Sequence, residues 1–130
     1  GGYAKEVGAI ILVEPLNRYE THFIKTLNDG VEICKQVNSP NVAIMADFFH
    51  MSIEERNIAA SIEAADSYIK HVHLADSTRQ LPGYGHTDFK SGFEALRKIG
   101  YQNYMALECG VPGPGEVELP KSAQYMKQWI

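Results

Sequence analysis

Long apolar runs, clustered cysteines and an excess of basic charge are all missing from this sequence. Its apolar runs, such as Ala9–Val13 and Val42–Ala46, fall far short of the ~20 residues that a membrane-spanning helix requires, so no membrane partner is expected. Cys34 and Cys109 form no CxxC pair and no disulfide framework, and they read as buried thiols of a reducing, cytoplasmic compartment. Twelve Lys and Arg against 16 Asp and Glu give a net charge of −4, without the basic face that nucleic acid demands, so no nucleic-acid partner is expected either. Nothing resembles a basic segment followed by an apolar leader core, and no low-complexity linker divides the chain. What remains is a composition of 45% hydrophobic and 22% charged residues, that of a globular protein. Residues 1–130 are expected to form a single domain, long enough to bury a real core.

The patterning alternates between two periods. AIILV, residues 9–13, reads as a strand buried on both faces and ends at Glu14. Helical spacing follows from Thr21 to Val37, stopped by Asn38, Ser39 and Pro40. VAIMA, residues 42–46, is a second strand, ending on Asp47, with His50 three residues later. Ser52 with Glu55 has the form of a capping box and predicts a helix to about Ala65. Ile69, Val72 and Leu74 alternate with His71 and His73 in a third strand. Its glycine-rich loop carries Arg79, His86 and Asp88, and Asp88 is placed to cap a helix over Lys90–Ile99 that Gly100 ends. NYMAL, residues 103–107, is the fourth strand and ends on Glu108. After the turn-rich GVPGPG, a last helix is expected from about Leu119 to Ile130, burying Tyr125, Met126, Trp129 and Ile130.

Strand and helix alternate four times, which predicts an α/β fold with parallel strands and right-handed crossovers. A complete eight-fold barrel takes ~250 residues, so four units correspond to half of one, with an open flavodoxin-like sheet as the other arrangement. Glu14, Asp47, His73 and Glu108 occupy the same topological place at four successive strand ends. Ligands gather at that edge of a parallel sheet. Three convergent carboxylates repel one another, and a divalent cation relieves the repulsion. Oxygen-rich coordination with one imidazole suits Mn²⁺ or Mg²⁺, with Co²⁺ also compatible, better than a structural zinc.

Four motifs in order, VEPLNRYET (13–21), ADFFHM (46–51), HVHLADSTRQLPGYGHTDF (71–89) and ALEC (106–109), resemble the xylose-isomerase-like sugar isomerases and epimerases. The resemblance is nearest to ketose 3-epimerases of the D-tagatose and D-psicose type, and it runs through the chain as strands five to eight of that family's TIM barrel, a (β/α)4 half. It implies one Mn²⁺-like ion held by Glu14, Asp47, His73 and Glu108. It also implies proton transfer at C3 of a ketose through an enediolate, with Glu14 and Glu108 on opposite faces, and sugar contacts from Glu20, His50 and Arg79. His86 and Asp88 are expected to shape the loop and cap a helix; His22 and His71 receive no role.

A half-barrel exposes two sheet edges, which predicts a homo-oligomer or pairing with an N-terminal half. Within the same chemistry, hydroxypyruvate-isomerase-like and pentulose-phosphate epimerase readings stand beside the free-ketose one. Two further alternatives are a half-barrel that at most binds metal and turns nothing over, and a relative of the apurinic-site endonucleases, which hold three zinc ions.

Overall fold

The computed structural model describes residues 1–130. Helix α1 (Gly2–Val7) has no counterpart in the sequence reading; it is followed by β1 (Ile11–Val13), α2 (Leu27–Val37), β2 (Val42–Asp47), α3 (Phe48–Glu54) and α4 (Ile58–Ala65). A 3-10 turn (Asp66–Tyr68) leads into β3 (Ile69–Leu74), and α5 (Phe89–Lys98), β4 (Met105–Leu107) and α6 (Gly115–Met126) complete the chain. The strands form one four-stranded sheet in the order β1-β2-β3-β4, every pair parallel. Consecutive order is that of a barrel segment; an open flavodoxin-like sheet would reverse at its first strand.

Several local expectations are corrected. The helix expected from Thr21 begins at Leu27, because Thr26 and Asp29 form the capping box and leave Phe23 exposed in the preceding loop. The single helix expected from Ser52 to Ala65 is two. Asp47 accepts from the N–H groups of Phe49 and His50 and starts α3 directly off the strand, while Asn57 caps α4. Glu55 forms no capping box and instead accepts from Leu27 N–H and Ser61 Oγ–H, tying α4 to α2. The last helix runs four residues earlier than expected, and Ile130 is exposed. Asp88 does cap α5, accepting from Ser91 N–H, and Gly100 follows that helix at φ 69°.

The outer face of the sheet carries the core, where Val42, Ile44, Ala46, Val72 and Leu74 pack against Leu27, Val31 and Cys34 of α2, Ile62 of α4, and Phe93 and Leu96 of α5. Phe48, fully buried, stacks on Phe89 with ring centroids 5.3 Å apart and lies 6.1 Å from Phe93. Such contacts add about 0.5–1.5 kcal/mol per pair beyond the area buried. Gly92 makes this possible, since a Cβ there would lie 2.3 Å from Phe48 Cε1.

β1 departs from expectation. A continuous apolar run predicts burial on both faces, yet Ile11 and Leu12 are 46% and 37% exposed. The apolar run is that of an interior strand, but β1 lies at an edge with one neighbour. Leu107 on β4 is likewise 42% exposed at the other edge.

Candidate metal centre

Register determines which side chains meet. Residues paired across parallel strands share a face, and the face alternates along each strand. Asp47 pairs with His73 and His73 with Ala106, which puts Asp47, His73 and, two residues on, Glu108 on the inner face; Glu14 joins them from β1. The four proposed ligands come together, with one donor atom from each lying within 4.8 Å of the others. His71 lies beneath on the same face, its ring 5.1 Å from that of His73.

His73 Nδ1 is the centre of this arrangement. It lies 3.7 Å from Glu14 Oε1, 3.6 Å from Asp47 Oδ2 and 3.3 Å from Glu108 Oε2. None of these contacts has hydrogen-bond geometry, so His73 Nδ1 and Glu14 Oε1 are buried polar atoms without a partner. Orphaned buried polar atoms are costly, and a cation among four converging donors would satisfy both. The donor set fits a hard or borderline divalent ion: three carboxylates, one imidazole and no thiolate. Burial, and then the neighbouring charge of Asp47, push the Glu14 carboxyl above its ordinary range, as expected of carboxylates crowded without full compensation.

The three residues expected to hold sugar border the cluster. Arg79 sits closer than expected, donating to Asp47 Oδ2 at 3.0 Å and to Glu108 Oε2 at 2.5 Å, with its guanidinium 4.7 Å from the ring centre of Phe49. His50 is buried, and its Nδ1 accepts from Asn17 N–H at 3.2 Å and from Asn17 Nδ2 at 2.8 Å. With Nδ1 accepting, the proton of the neutral ring is on Nε2, 4.0 Å from Asp47 Oδ2. Burial pushes the His50 pKa down despite the nearby carboxylates, which favours that neutral donor. Glu20 is half-exposed and accepts from Asn17 Nδ2 at 2.8 Å. His86 and Asp88 stand apart: His86 N–H donates to Ser77 Oγ, and Asp88 is engaged at the start of α5.

Two supporting residues escaped the sequence reading. Asn17 is buried and joins Glu20 to His50, its orientation fixed by Tyr19 N–H donating to its Oδ1. Asp76, also buried, accepts from the N–H groups of Ser77, Gly83 and Thr87 at 2.7, 2.8 and 3.0 Å. Desolvation alone would raise its pKa, but those donors hold it below the ordinary carboxylate range. Gly85 is required beside it, because a Cβ would lie 2.4 Å from Asp76 Oδ1. An Asp two residues past a strand end, in a loop of Ser, Thr and Gly, was the available signal for Asp76; Asn17 had none beyond its place in a loop leaving a strand end.

A consecutive parallel sheet with acids and an imidazole gathered at its strand ends defines the class: one half of a (β/α)8 barrel bearing a candidate metal centre. The chain belongs to the xylose isomerase-like TIM barrel family, whose profile matches residues 1–129. It is 41% identical over 105 residues to a 3-dehydro-D-guloside 4-epimerase of Escherichia coli, and 40% identical over 114 residues to a D-psicose 3-epimerase of Ruminiclostridium cellulolyticum. Those alignments cover 81% and 88% of this chain but 40% and 39% of the relatives. The crystal structure of the apo form of a 3-keto-D-glucoside 4-epimerase from E. coli superposes with a TM-score of 0.89 at 35% identity, covering 96% of this chain and 48% of that one. The chain thus spans about two fifths of the curated relatives it matches and about half of the solved structure.

Proposed function

We propose that this chain carries the metal-binding part of the active site of a sugar epimerase that inverts the carbon next to a ketone, with C3 of a ketose as the reacting centre. The observation that carries this reading is the convergence of Glu14, Asp47, His73 and Glu108 on two buried, unpartnered donor atoms. Glu14, Asp47, His73 and Glu108 would hold one divalent ion, Mn²⁺ being the best match to the donors and Mg²⁺ or Co²⁺ compatible with them. When bound, such an ion polarises the sugar ketone and acidifies the adjacent C–H.

The chain's own groups would do the rest. Glu14 and Glu108 approach the cluster from strands at opposite ends of the sheet. One takes the C3 proton, and the C–H electron pair moves toward the carbonyl to give a planar enediolate. The other returns a proton to the opposite face of C3, and inversion follows. His50 Nε2–H, Glu20 and Arg79 would hydrogen-bond the sugar oxygens beside that carbon. The relatives named 3-epimerase and 4-epimerase support the shared chemistry, exchange of a proton next to a ketone, whichever carbon bears it. The open edges of β1 and β4 would be covered by four further strands, from a preceding half or from another copy.

Solvent-deuterium incorporation at C3 of D-psicose, followed by NMR on the full-length protein carrying these residues, is the direct test. Glu108→Gln and Glu14→Gln should each lower epimerisation by roughly 10²–10⁴-fold. An epimerisation rate indifferent to both changes would rule out the two-glutamate proton transfer.

A further inference from the structure

The guanidinium of Arg79 stands on the same carboxylate oxygens that an ion would need. Its bonds go to Asp47 Oδ2 and Glu108 Oε2, and those two atoms are the ones that face His73 Nδ1 at 3.6 and 3.3 Å. The placement is built into the loop. Arg79 has φ 57°, a left-handed conformation uncommon for a non-glycine residue. Its N–H donates to Asp76 O and its carbonyl accepts from Gly110 N–H, both at 2.8 Å, so the backbone is held from β3's loop on one side and β4's on the other. The Phe49 ring flanks the guanidinium at 4.7 Å. An arginine that only reached for a sugar would not require contacts to two metal-facing oxygens.

Charge makes the consequence concrete. Ionised Glu14, Asp47 and Glu108 carry three negative charges; Arg79 leaves two, which one divalent ion neutralises. We propose that Arg79 is a built-in counter-cation that lowers the site's affinity for its divalent ion, by sharing Asp47 Oδ2 and Glu108 Oε2 with it, in addition to any contact with substrate. The inference rests on the metal reading of the four strand-end residues. Its effect is electrostatic and acts over a few ångströms through a partly wetted site, so it weakens with salt but does not vanish.

The test is a calorimetric Mn²⁺ titration of the full-length protein carrying these residues, comparing wild type, Arg79→Gln, Arg79→Lys and Glu108→Gln, with circular dichroism to establish folding. Arg79→Gln should bind Mn²⁺ at least about tenfold more tightly than wild type, with the gain shrinking at high salt. Arg79→Lys, which keeps the charge and loses the fork, should fall between them. If wild type binds, Glu108→Gln weakens binding, and folded Arg79→Gln binds no more tightly than wild type, the counter-cation role is overturned while the metal reading stands. If neither wild type nor Arg79→Gln binds Mn²⁺, both fall together. Should Arg79→Gln fail to fold, an Arg79→Lys protein binding no more tightly than wild type overturns the proposal.

Discussion

Asp47 and His73 come from β2 and β3, which have a strand on each side; Glu14 and Glu108 follow β1 and β4, which have one. The side chains follow that division, 0% and 15% exposed for the inner pair against 26% and 50% for the outer pair. Asp47 is further locked by capping α3, whereas Glu108 is positioned by Arg79 and one long backbone hydrogen bond from its N–H to Leu74 O. The two halves of the site are therefore unequal in rigidity. The two residues proposed only to hold the ion are fixed by the core, and the two proposed to move protons sit where orientation depends on whatever adjoins the sheet. A proton-transfer carboxylate benefits from some freedom, but its geometry must still be completed by a neighbouring element.

Substitutions can break this contrast or sharpen it. The largest effect is expected beneath the inner strands: Phe48→Ala should destabilise the protein by about 3–5 kcal/mol in urea unfolding, because it empties a fully buried stack between Phe89 and Phe93. Asp76→Asn should cost about 1–3 kcal/mol, since the new amide NH₂ would oppose one of three backbone N–H donors. This cost depends on pH. The folded Asp76 carboxyl lies below its ordinary value, so its contribution is complete above about pH 4 and is lost as pH falls through the lower folded value. The gap between wild type and Asp76→Asn should accordingly close in acid and stay constant from neutral pH upward. A gap that widened on acidification would show that the backbone donors do not hold the charged form. The smallest effect is expected at the edge. Leu107→Ala, at a residue 42% exposed, should cost less than about 1 kcal/mol in the 130-residue chain. Where further strands cover that edge, the same change should cost about 2–5 kcal/mol.

The inner and outer regions also differ in how far they could be read from sequence. Strand patterns ending at or beside Glu14, Asp47, His73 and Glu108 made the parallel strands and the convergence of these four side chains legible, because both follow from periodicity and position along the chain. Exposure of β1 could not be read this way: AIILV carries the same pattern whether or not a neighbour covers it. Helix starts were misplaced where two capping signals competed. Ser52 and Glu55 mimic a cap, but Asp47 had already begun a helix, and Glu55 was engaged by Leu27 and Ser61 across the helix layer. Asn17, Asp76 and the grip of Arg79 on two carboxylates depend on loops meeting in space, which no local spacing encodes.

The central claim is that four strand ends make one ion site, and the number of divalent ions bound per chain measures it most directly. Elemental analysis after equilibration with Mn²⁺ and removal of free metal should give one ion per chain in the wild-type protein and a clear loss in Asp47→Asn, which removes the most deeply buried of the carboxylates. No bound ion, or one unaffected by Asp47→Asn, would contradict it, and three ions would point instead to the nuclease-like arrangement.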